Sequence, residues 1–131
     1  MNLIEKIKKI DNLGKIEGCT LEQVKEAETN LGMKFPSDFV EYVMNFGCID
    51  FGATEWTGLN IKGFLNVVTA TEREKSVNKS FPPKCFVLED FNIDAKKVIV
   101  SEEGKVYILQ YDNVTQIAES ISEYLDVCLK R

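Results

Sequence analysis

The stretch TLEQVKEAETNLGMKFPSDFVEYVMNFG, residues 20–47, decides how the rest of the chain is read. Thr20 and Gln23 stand at the spacing of a capping box, in which each side chain takes up a backbone N–H of the other's residue. Leu21, Val24, Ala27, Glu28 and Leu31 follow at helical spacing, and Gly32 stands where a left-handed residue closes a helix. Pro36 suits the first turn of a second helix, because the N–H it lacks would have no partner there. Phe39, Val43 and Phe46 line one face of that helix, Val40 and Tyr42 widen it, and Gly47 ends it. Helices over Thr20–Leu31 and Pro36–Phe46, joined by a few residues, predict a packed helical hairpin.

On the N-terminal side, Leu3, Ile4, Ile7 and Ile10 recur at helical spacing opposite Lys6, Lys8 and Lys9, which predicts a short helix covering the core. Residues 12–18 hold two glycines and read as a loop. After Gly47 the period changes. Cys48–Gly52 and Thr54–Leu59 are short, aromatic or β-branched and broken by glycine, as strands are. Thr69 and Glu72 are placed to cap a polar helix running to about Asn78, before Pro82-Pro83. Cys85–Glu89, Lys97–Val100 and Lys105–Tyr111 read as strands, and Gly104 supplies the positive φ for a turn between the last two. From about Thr115 the stripe Ile117, Ile121, Tyr124, Leu125 and Cys128 predicts a final helix. The expected fold is α+β, with N-terminal helices on a mainly antiparallel sheet of about five strands, closed by a C-terminal helix.

A chain of 131 residues fits one domain, residues 1–131. Its 21 acidic and 16 basic residues give a net charge of −5. That balance speaks against direct nucleic-acid binding, which needs a clustered basic surface, and suits a basic protein partner. The acidity is local. Residues 1–34 balance six against six, whereas residues 35–64 carry Asp38, Glu41, Asp50 and Glu55 against Lys62 alone. Cys19, Cys48, Cys85 and Cys128 lie far apart among mostly apolar neighbours, so reduced, structural thiols and a cytoplasmic setting are expected. The N-terminus lacks the apolar core of a signal peptide, and no run suits a membrane span.

The chain has no histidine, which removes Ser-His-Asp, Cys-His and His-zinc chemistry. It has no phosphate-binding glycine loop. Glu89-Asp90-x-x-x-Asp94 follows a strand but lacks the alternating carboxylates of a calcium loop. No catalytic residue, cofactor or metal is therefore expected. Trp56, the one tryptophan, is either a core residue on a short strand or an interface anchor, a role in which tryptophan is enriched.

Val24, Ala27-Glu28, Leu31-Gly32, Phe35-Pro36, Asp38-Phe39, Tyr42 and Phe46-Gly47 resemble the opening pattern of the SUKH superfamily. Glu55-Trp56-x-Gly58-Leu59 resembles its short strand ending in Gly-Leu, Gly104-x-Val106-Tyr107 its later hairpin, and Ile117 to Leu125 its closing helix. One departure is that Gly47 is followed by Cys48-Ile49-Asp50, where many members turn on Gly-Gly. The resemblance implies a non-catalytic binding scaffold. Its members include many bacterial immunity proteins, which neutralise a toxin domain, often a nuclease or deaminase, and a yeast regulator of cell-wall synthesis. A regulatory or adaptor module, or a small-ligand binder or enzyme, is the alternative. The partner surface is expected at Asp50, Glu55 and Trp56, with Glu89, Asp90 and Asp94 as second candidates.

Overall fold

The computed structural model describes residues 1–131. Helix α1 (Leu3–Lys8) is capped by Asn2, and a two-residue strand β1 (Gly14–Lys15) follows. Then come α2 (Leu21–Leu31), α3 (Ser37–Phe46), β2 (Ile49–Phe51) and β3 (Thr54–Glu55). A 3-10 turn (Gly63–Leu65) leads into α4 (Val67–Val77). Strands β4 (Cys85–Asp90), β5 (Lys96–Ser101), β6 (Val106–Gln110) and β7 (Asn113–Ala118) precede α5 (Ile121–Leu129). The architecture is α+β, with antiparallel sheets in the orders β1-β2-β3 and β4-β5-β6-β7. No helix is long and apolar enough to cross a membrane.

The four-stranded meander is covered on both faces, as its alternation dictates. Phe86, Leu88, Val98, Val100 and Val106 join the main core with α1, α2, α3 and α5. Cys85, Val87, Ile99 and Leu109 turn to the other face, where Ala70 of α4 and Phe81 pack against them. Phe39, Phe46, Leu31, Val106 and Ile121 are buried and Ile108 partly so. All four cysteines are free and buried.

The capping box is formed as its spacing predicts. Thr20 N donates to Gln23 Oε1 at 2.8 Å and Gln23 N to Thr20 Oγ1 at 3.1 Å. Gly32 is left-handed, with φ 65°. The hairpin does not pack as expected, however. The connection runs through buried Met33 and Phe35, with Phe35 N donating to Glu28 Oε2 at 2.8 Å. Both helices face the same core, but α2 lies along α4 while α3 lies along α1 and α5.

The exposed carbonyls at the end of α3 are taken up by loops. Cys19 N donates to Val43 O, Ile16 N to Phe46 O and Leu59 N to Gly47 O. Glycine is required where this happens: a Cβ on Gly58 would stand 1.8 Å from Gly47 O, and one on Gly18 1.9 Å from Met44 O. The Gly-Leu step at 58–59 is thus a backbone contact with the end of α3.

Two boundaries differ from expectation. Helix α4 starts at Val67, because Asn66 accepts from Val68 N and Thr69 N; Thr69 is already inside it. The stretch from Thr115 is strand β7, and α5 begins only after Ser120, whose hydroxyl accepts from Glu123 N at 3.0 Å. Ile117 fits the spacing of the α5 stripe by coincidence. Val114 and Thr115, both β-branched, pair across to Leu109 and Ile108.

Asp38 sits half-buried in the first turn of α3, and its Oδ1 has no hydrogen-bond partner. Burial raises its carboxyl above the ordinary range, against the lowering pull of the Phe39 and Ile121 N–H groups. A raised folded-state value means the folded state disfavours the ionised form. That cost is absent below the unfolded value of about 3.9 and fully present once pH exceeds the folded value. Asp38→Asn should therefore raise the melting temperature at pH 7 and lose that advantage towards pH 3. An equal effect at both pH values in thermal scans would contradict this account.

Candidate protein interface

Trp56 is 0% exposed, which decides between its two readings. Its ring stacks on Tyr124 at 6.1 Å between centroids and meets Tyr42 edge-on at 5.5 Å. Its backbone N–H donates to Ile49 O and its backbone carbonyl accepts from the Cys48 thiol. Trp56 is a core residue and offers no surface to a partner.

Glu89 is also turned inward, at 2% exposure, by an irregularity in the strand. The β4–β5 register shifts between Val87 and Glu89, so Leu88 and Glu89 both face the helices. There Tyr124 donates to Glu89 Oε1, and Arg131 Nη1 donates to Oε2 at 2.8 Å. Arg131 also donates to the Tyr124 hydroxyl at 2.7 Å and to Thr54 Oγ1 at 3.2 Å, with its guanidinium 5.0 Å from the Phe91 ring centroid. Burial and the Glu89 carboxylate push the Tyr124 hydroxyl far above its ordinary range. This clamp fastens β4 to the end of α5. Its polar atoms bond one another, which suits a structural role.

The remaining acids are exposed but do not form one cluster. Asp50 and Glu55 lie directly opposite on β2 and β3, a like-charge pair that costs stability. Asp90 is exposed at the end of β4, and Lys97 Nζ lies 3.9 Å from its carboxylate and 3.2 Å from Glu74. Asp94 stands apart in the β4–β5 loop with φ 54°. No three acidic or thiol side chains converge as a cation site.

A groove of about 340 Å³ gathers part of the set: Glu55 and Asp90 line it together with Glu74, Arg73 and Lys97. Its lip is apolar, because Phe64 is 62% and Val77 75% exposed. Sequence reading passed over Phe64. Its one local signal is an aromatic residue in the Gly63-to-Asn66 turn, on neither a helical nor a strand period. Phe64 and Val77 thus stand exposed beside the Glu55 and Asp90 carboxylates, with Arg73 and Lys97 in the same concavity.

The fold and its sequence pattern define a SUKH-superfamily domain. The family model SUKH_5, described as SMI1-KNR4 cell-wall, matches residues 1–130, and the chain belongs to that family. A comparison with curated proteins gave no match.

Proposed function

We propose that this domain is a non-catalytic protein-binding module, an immunity protein that seats a basic toxin domain in the groove beneath Phe64. The observation carrying this reading is the exposed Phe64 and Val77 beside Glu55 and Asp90 in one concavity. Aromatic residues in the centre of an interface supply most of its energy, while rim charges steer the approach. Asp50, paired across from Glu55, extends the negative rim. Membership of a SUKH family supports the scaffold role.

The test is co-expression with candidate toxin domains drawn from the genes adjacent to this one, read as growth rescue and binding kinetics. Phe64→Ala should speed dissociation by roughly 30-fold, the equivalent of a 2 kcal/mol anchor. Glu55→Lys should slow association and flatten its dependence on salt. Variants that fold normally, bind as tightly and protect as well as the parent protein would remove the groove from consideration. A regulatory or adaptor module is the second reading, favoured by the family's cell-wall description. Under it the candidate toxin domains leave the groove unoccupied and a cellular protein fills it.

A further inference from the structure

The two edges of the four-stranded sheet are treated differently. The β4 edge is covered: Thr57 N donates to Leu88 O at 2.7 Å, Thr57 Oγ1 to Val87 O at 2.9 Å, and Val87 N to Thr71 Oγ1 at 2.9 Å. The β7 edge is bare, since β7 is last in the sheet and pairs with β6 alone. By the alternation of an antiparallel ladder, every second residue of β7 turns its N–H and C=O away from β6. Asn113 to Gln116 are exposed, and no charge or proline interrupts residues 113–118. Such an edge is a template for another strand.

Charge selects the kind of strand. Asp112 and Glu119 bracket β7, both exposed and neither in an ion pair with a basic side chain. A second copy is the wrong occupant. With the six residues in full antiparallel register, Asp112 of each copy would face Glu119 of the other, and like charges directly opposite are unfavourable. A foreign strand with cations at both ends meets the opposite situation. We infer that β7 takes up an extended segment of a partner protein as a fifth strand, the segment being an uncharged β-branched run bracketed by lysine or arginine. Backbone hydrogen bonds supply the binding and the flanking charges the selectivity. This edge lies across the sheet from the Phe64 groove, and the inference stands whatever that groove binds.

The experiment titrates the isotope-labelled full chain with three synthetic peptides, followed by amide shifts and hydrogen exchange. Each carries a six-residue Thr-Val core, flanked by two lysines, by two glutamates, or by two lysines with a central proline. The lysine-flanked peptide should shift β7 amides, protect alternate ones from exchange, and bind roughly tenfold tighter than the glutamate-flanked one. The proline peptide should not protect them. Asp112→Lys with Glu119→Lys leaves the edge intact and should reverse the preference between the two flanks. Gln116→Pro should weaken every peptide, and the charge reversal keeps the test decisive if that variant fails to fold. Absence of β7 shifts, shifts confined to the Phe64 groove, equal binding of both flanks, or β7-mediated dimers of the chain alone would each overturn the inference.

Discussion

Phe39→Ala should lower stability by about 3–5 kcal/mol, because the lost transfer energy adds to a cavity that a packed core closes only partly. The ring is 0% exposed and sits where helix meets sheet. Its centroid is 4.5 Å from that of Phe86 on β4, 4.8 Å from Phe35 and 5.6 Å from Tyr42. Tyr42 in turn touches Trp56, and Trp56 stacks on Tyr124, so one chain of rings runs from β4 to α5. Denaturant unfolding should show a lower midpoint with an unchanged slope, the mark of altered stability with the same surface exposed. Phe39→Leu keeps part of the volume and should cost less. A loss under about 1 kcal/mol for the alanine variant would mean that the core collapses into the vacated space.

Arg131→Met should be nearly as costly, for a different reason. It leaves the buried Glu89 carboxylate with the Tyr124 hydroxyl and no cation, and breaking a buried ion pair from one side costs about 3–5 kcal/mol. Arg131 keeps 28% side-chain exposure against 3% for Glu89, so some solvation of the pair survives and the lower end applies. The double variant Arg131→Met, Glu89→Leu removes both charges and should recover part of the loss, the remainder staying with the buried Tyr124 hydroxyl, which loses both of its partners. A thermodynamic cycle over the two sites measures this coupling. If the double variant is no more stable than Arg131→Met alone, the charge imbalance is not the cause.

The parts of the fold legible in the sequence were those encoded by neighbouring residues. Thr20 with Gln23, Gly32 and Gly47 marked helix ends because caps use local chemistry, and each stands where its residue type predicts. Gly104, at φ 89°, marked the β5–β6 turn in the same way. Glu89 was misread because a bulge one residue earlier reversed its facing, and strand alternation alone carries no sign of a bulge. Composition leaves Trp56 as either core residue or anchor because it ranks residue types, whereas burial depends on Tyr42 and Tyr124 arriving from distant helices. β7 was read as helix because Ile117 matches the α5 period, while its true partner, β6, lies on a strand. Of the expected surface residues, Glu55 and Asp90 share the groove; their apolar companions Phe64 and Val77 belong to segments whose local pattern gave them no special standing.

Lys6 on α1 donates to Ser122 O at 3.1 Å and to the Asp126 carboxylate at 3.0 Å on α5. Met1 and Arg131 line the same concavity beside that contact. The first and last helices thus close the structure into something near a ring, so the order in which the elements are strung is not fixed by the architecture. A short linker joining residue 131 to residue 1, with the chain opened instead at the exposed turn around Glu103, would describe the same packing as a circular permutant.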